Sequence, residues 1–204
     1  MGLGESTLSV KLVRFKVVLI GDGGVGKTSI ARRYLGEGFT QEYIKTIGAN
    51  FYVKRTIFAD AHFGKILIEW NIWDLAGQPT WDQVRPLYYK GAKAALVVFD
   101  VTSPRSYYNV PKWISELWKN VGGVLPFVLI GNKIDLRDKH PNALPPEAGK
   151  KYAELASQKV GIRIPYLETS AKTGENINEA FNHLARVILE YAIAKIRARK
   201  MVRR

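Results

Sequence analysis

The residues best suited to chemistry lie between Gly21 and Thr28, in the order Gly21-Asp22-Gly23-Gly24-Val25-Gly26-Lys27-Thr28. They fit the pattern G-x-x-x-x-G-K-[ST], whose glycines let the backbone wrap closely and turn its N–H groups inward. Such a concavity suits a phosphate chain. Lys27 can reach the outer phosphates, and the Thr28 hydroxyl can ligate Mg²⁺. The flanks agree: Phe15–Ile20 is a β-rich run and Ser29–Leu35 has helical composition. The loop would therefore open a helix whose N-terminus adds partial positive charge toward an anion. Gly23, Gly24, Val25, Gly26, Lys27, Thr28 and Ser29 are the expected phosphate contacts.

Three further motifs each follow a β-rich run. Asp74-Leu75-Ala76-Gly77-Gln78 offers an acid for Mg²⁺, usually through water. It also offers a Gly77 N–H for a terminal phosphate and Gln78 to orient a water for in-line attack. Asn132-Lys133-Ile134-Asp135 places a carboxylate that accepts two N–H donors from one edge of guanine, a pair adenine lacks. A site built on such bonds rejects the wrong base by leaving a buried polar group unpaired. Asn132 can bridge back to the phosphate loop, and the Lys133 stem can cover the base. Ser170-Ala171-Lys172 follows the last run, where the Ala171 N–H can meet the guanine carbonyl.

The elements that must position these loops read as alternating strand and helix. Strands are expected over 14–20, 94–99, 124–130 and 163–167. A hairpin is expected from 51–58 and 65–73. Helices are expected to about 35, over 103–118 with a bend or restart at Pro111, and over 147–158. Ile177, Ala180, Phe181, Leu184, Val187, Ile188 and Tyr191 share one face of a final helix. Residues 39–49 and 74–90 read as irregular loops. The expected fold is α/β: a sheet of about six strands, mostly parallel, with one antiparallel edge strand and helices on both faces. Right-handed crossovers bring the strand C-termini to one edge, where ligands bind.

Composition sets bounds. With 204 residues and 47% apolar content, the chain can bury a full core and is not a disordered protein. No apolar run approaches the length of a membrane span, and Met1–Val10 does not read as a secretory signal. No cysteine is present, which excludes disulfides, thiolate metal sites, prenylation and palmitoylation of these residues. A cytoplasmic protein is expected. The net charge is +13, and residues 191–204 hold six Lys or Arg with no acid. This basic stretch reads as a polybasic arm suited to anionic lipid, RNA or an acidic partner. Residues 1–11 read as a leader, with Gly2 in a formal myristoylation pattern. Residues 12–190 read as one domain and 191–204 as its basic end.

In order and spacing, Gly21–Thr28, Thr46, Asp74–Gln78, Asn132–Asp135 and Ser170–Lys172 resemble the small GTPases of the Ras superfamily, whose fold is that of P-loop NTPases. The resemblance covers roughly residues 12–190. Thr46-Ile47-Gly48-Ala49-Asn50-Phe51, Ile72-Trp73-Asp74 and Tyr88–Ala92 look most like the Rab branch. Arg85-Pro86-Leu87 looks more like the Rho branch. The resemblance implies GTP and GDP as ligands, with Thr28, Thr46 and Asp74 serving Mg²⁺. It implies Phe39 and Tyr43 beside the nucleotide in a first switch loop, and Lys27, Thr46 and Gln78 in hydrolysis. It also implies protein effectors at residues 39–51 and 74–90, with Phe51, Trp73 and Tyr88 either forming an aromatic docking patch or simply packing in the core. An RNA- or ribosome-associated GTPase and a non-catalytic nucleotide-bound module are the competing functions.

Overall fold

The computed structural model describes residues 11–39 and 45–202. Its centre is a six-stranded sheet in the order β2-β3-β1-β4-β5-β6. β1 spans Leu12–Ile20, β2 Ala49–Asp60, β3 Gly64–Leu75, β4 Ala94–Asp100, β5 Phe127–Asn132 and β6 Tyr166–Thr169. Only β2 with β3 is antiparallel, paired from Ala49↔Leu75 to Asp60↔Gly64. The pairs β1–β3, β1–β4, β4–β5 and β5–β6 are parallel. The hairpin is longer at both ends than the sequence pattern marks; at the turn end Asp60 accepts the N–H groups of His62 and Phe63.

The helices are α1 (Lys27–Leu35), α2 (Pro86–Tyr89), α3 (Pro104–Tyr108), α4 (Val110–Val121), α5 (Pro146–Val160) and α6 (Ile177–Val202). α1 and α6 cover one face of the sheet, with Ile30, Tyr34, Phe181 and Leu184 against Leu19, Ile72 and Val98. α4 and α5 cover the other, with Trp113, Leu117 and Ala153 among Val97, Phe99 and Leu129. Strands buried on both faces read as unbroken apolar runs, which is why 94–100 is legible without alternation.

Several boundaries differ from the sequence expectation. β5 and β6 each begin three residues later because Pro126 and Pro165 precede them and lack the N–H a ladder needs. Pro165 instead lends its carbonyl to Leu129 N at 2.9 Å. The helix expected over 103–118 is two helices, α3 and α4, and Pro111 sits in the first turn of α4. The stretch 74–90 is less irregular than expected: Asp74 and Leu75 end β3, Pro79–Trp81 forms a 3₁₀ turn and Pro86 opens α2. Proline is tolerated where a helix starts, since that N–H has no intrahelical partner. α6 continues as helix to Val202, past the point where its apolar face ends.

Candidate functional site

The C-terminal ends of β1, β3, β5 and β6 meet around a cavity of about 650 Å³. Gly23, Gly24, Gly26, Lys27, Thr28, Ser29, Phe39, Thr46, Gly77, Gln78, Asn132, Lys133, Asp135, Ala171 and Lys172 line it. Val25, Asp74 and Ser170 stand just behind that lining and are buried. Tyr43 lies outside the described residues, as do Gly2, Arg203 and Arg204.

At one end the loop after β1 folds over the start of α1. Gly26 has φ 99°, and a Cβ there would stand 2.3 Å from Asn132 Nδ2, so glycine is required on both counts. Lys27 is 6% exposed. Its ammonium donates to the carbonyls of Gly21 at 2.7 Å and Asp22 at 2.8 Å. Burial lowers its pKa to about 8, against the opposing charges of Asp74 and Asp22. The loop is itself anchored: Asp22 accepts hydrogen bonds from Trp113 Nε1 and Asn109 Nδ2, each at 2.7 Å.

Beside it stand three oxygen donors. Thr28 Oγ1 donates to Asp74 Oδ2 at 2.6 Å and lies 3.0 Å from Thr46 Oγ1. Asn50 Nδ2 also donates to Asp74 Oδ2, at 3.2 Å. Asp74 is fully buried, and its Oδ1 has no hydrogen-bond partner among the described residues. Desolvation raises the Asp74 pKa, opposed by the Thr28 hydroxyl and Lys27. An orphaned buried carboxylate oxygen next to two hydroxyls fits a hard divalent cation. Among the described residues no group of three or more His, Cys, Asp or Glu side chains could hold a metal. A cation here would complete its shell with water and ligand oxygens, as Mg²⁺ does.

At the opposite end Asn132, 1% exposed, ties three segments together. It donates to Val25 O at 2.9 Å and accepts from Thr169 Oγ1 at 3.0 Å and Ala171 N at 3.2 Å. The Ala171 N–H expected to face a base carbonyl is therefore engaged by Asn132. Ser170 Oγ donates to Asp135 Oδ1 at 2.6 Å, which orients that carboxylate. Lys133 holds φ 68°, unusual for a residue with a side chain, and its ammonium pairs with Asp100 at 2.7 Å. That pairing draws the lysine stem along the cavity wall.

Sequence reasoning missed a supporting set. Arg33 on α1 donates to Ala171 O at 3.0 Å and also reaches Lys172 O. Arg137 and Tyr166 share the carboxylate of Glu168. Arg32, Lys45, Ile47, Asn50 and Leu136 also line the cavity. Of these, Arg32 was findable, being four residues after Thr28 and so on the same helical face.

Outside the cavity Phe51, Trp73 and Tyr88 form a contiguous surface row. Ring centroids are 5.0 Å apart for the first pair and 5.5 Å for the second. Phe51 is 50% exposed, whereas Trp73 and Tyr88 are partly buried and pack against the core on their inner side.

A glycine-rich loop between β1 and α1 and a carboxylate-bearing loop after β5, opening onto one cavity, define a P-loop nucleotide-binding protein. The Ras family model matches residues 16–190. GTP-binding protein YPT53 of Saccharomyces cerevisiae is 40% identical over 186 residues, covering 89% of this chain and 80% of that protein. Ras-related protein Rab-13 of Mesocricetus auratus and Ras-related protein RABD2a of Arabidopsis thaliana are each 38% identical, over 175 and 176 residues, covering 86% of this chain and 80% of theirs. The chain belongs to the Ras family of small GTPases and is Rab-related. The family implies guanine-nucleotide and Mg²⁺ binding in general. Among the described residues no helix is long and apolar enough to cross a membrane.

Proposed function

We propose that this GTPase is a switch that hydrolyses GTP slowly by itself and signals through the two loops at residues 39–51 and 74–90. The observation that carries this reading is that Lys27 and Asp135 line opposite ends of one cavity. In this reading the backbone N–H groups of residues 23–29 and the Lys27 ammonium hold the phosphates. Thr28, Thr46 and Asp74 would hold Mg²⁺, which when bound would offset phosphate charge. Asp135, oriented by Ser170, accepts the guanine N–H pair, and Lys133 and Phe39 flank the nucleotide.

Gln78 orients a water for in-line attack on the γ-phosphorus. The new P–O bond forms as the bond to the bridging oxygen breaks, GDP leaves with the electron pair, and the water's protons end on the released inorganic phosphate and solvent. Lys27 offsets charge growing on that oxygen. Thr46 and Gly77 sense the γ-phosphate, and losing it releases both loops. Phe51 of the first loop and Tyr88 of the second both contact Trp73, which supports protein effectors reading the state of the two loops together.

Single-turnover hydrolysis tests this. Gln78→Leu should bind GTP normally yet hydrolyse it at least about tenfold more slowly. Unchanged turnover removes the role of Gln78. The exposed basic residues Lys195, Arg197, Arg199 and Lys200 on α6 favour a peripheral contact with anionic lipid, with RNA as the second reading. Deleting residues 195–204 should abolish binding to phosphatidylserine vesicles. If it abolishes salt-sensitive RNA binding instead, the RNA reading stands.

A further inference from the structure

Arg85 belongs to the second loop but lies outside the cavity, and it is 1% exposed. Its guanidinium grips Glu116 of α4 with both arms, Nε to Oε1 at 2.6 Å and Nη2 to Oε2 at 3.0 Å. Nη2 also meets Asp82 Oδ1 at 2.5 Å, and Tyr89 donates to Glu116 Oε1 at 2.8 Å. The remaining arm, Nη1, donates to the carbonyl of Ala76 at 2.9 Å. Ala76 is the residue before Gly77 and Gln78. Its own N–H donates to Gly48 O at 2.9 Å. The peptide from which Gly77 and Gln78 hang is thus held on both sides.

The other end of the connection is Trp113. Its ring lies 4.5 Å beneath the Arg85 guanidinium, and its Nε1–H is bonded to Asp22 in the phosphate loop. Asn109, just before α4, holds the second oxygen of the same Asp22. One rigid helix therefore touches the phosphate loop through Trp113 and Asn109. It touches the second loop through Trp113 and Glu116.

We propose that Arg85 is a positioning residue for hydrolysis: α4 is a strut, and Arg85 sets where Gly77 and Gln78 stand relative to the phosphate loop. The proposal rests on the reading of Gln78 given above. A planar fork paired with a carboxylate fixes direction as well as distance, which a lysine cannot reproduce. An ion pair buried this far is weak evidence for net stabilisation over an apolar substitute. Its consequence falls on geometry, and misplacing a reacting group by about 1 Å can cost on the order of 100-fold in rate.

The test compares Arg85→Lys, Arg85→Met, Gln78→Leu and the double variant Arg85→Met/Gln78→Leu in the full chain. Each is assayed for single-turnover GTP hydrolysis and GDP affinity, at a temperature where circular dichroism shows all four folded. Arg85→Lys and Arg85→Met should slow hydrolysis by roughly 10- to 100-fold, with GDP affinity changed less than about threefold. The double variant should hydrolyse no more slowly than Gln78→Leu alone, because Arg85 acts through Gln78. If Gln78→Leu is slow while the Arg85 variants keep wild-type rates, the strut is wrong and the role of Gln78 survives. Multiplied effects in the double variant, or affinity falling in parallel with rate, also overturn it. If Gln78→Leu itself is unchanged, both readings fall together.

Discussion

Asn132→Ala removes a side chain that joins both ends of the cavity. Asn132 makes three buried hydrogen bonds: to Val25 in the phosphate loop, and from Thr169 and Ala171 beside the base loop. Each net bond is worth about 1 kcal/mol, and stranded buried partners raise the loss, so about 3 kcal/mol is expected in all. For a chain of this size that corresponds to a fall in melting temperature of roughly 6–12 °C. The same loss loosens the ligand, since the two ends can open independently. If half the coupling appears in binding, GDP dissociates about tenfold faster, as 1.4 kcal/mol is a factor of ten. Asn132→Asp is the informative partner. It keeps the acceptor for Thr169 and Ala171 but sets a buried carboxylate oxygen against the Val25 carbonyl, so the phosphate-loop contact becomes repulsive while the other two are retained. Thermal unfolding at fixed GDP and stopped-flow release of a fluorescent GDP measure the two effects. A melting shift under about 2 °C with unaltered release in Asn132→Ala would refute the cross-brace.

Asp135→Asn should lower GTP affinity by at least about 100-fold and improve binding of the xanthine nucleotide, because the carboxylate acceptor for the base N–H pair is lost; competition binding with both nucleotides checks it, and unaltered GTP affinity contradicts it. At Gly77 an added Cβ would stand 2.3 Å from Gly21 O and 2.6 Å from Gly23 N, both unyielding backbone. Gly77→Ala must therefore push the second loop off the phosphate loop, and hydrolysis should fall more than about tenfold with GDP binding retained. Arg33→Ala frees the carbonyls of Ala171 and Lys172 from α1. It should speed GDP release by up to about tenfold; release within twofold of wild type would show that the clamp carries no weight.

The motif residues were legible because local backbone chemistry fixes them. A lysine and threonine after a glycine loop need no distant partner to be recognised, and the run 94–100 betrays a doubly buried strand. The residues that hold those motifs in place left no such trace. Trp113 and Asp22 are 91 positions apart, Arg33 and Ala171 are 138 apart, and Arg85 meets Glu116 across 31. Their meeting depends on crossovers that no spacing records. Phe51, Trp73 and Tyr88 could have been core or surface, since aromatic residues serve both; the fold divides them, with Phe51 half exposed and Trp73 and Tyr88 packed against the core. The basic end was read as an arm because its apolar residues leave their shared face beyond Tyr191. It remains helical to Val202, as its Ala, Lys and Arg favour helix without needing a buried stripe.

The reading to test is that several loops enclose one guanine nucleotide with its magnesium. The direct measurement is to release and identify whatever nucleotide the protein retains after purification, then to follow GTP conversion with and without Mg²⁺. The expected result is GDP or GTP at about one per chain, with slow hydrolysis that stops when Mg²⁺ is chelated. Protein that retains no guanine nucleotide and binds ATP as tightly as GTP would contradict it.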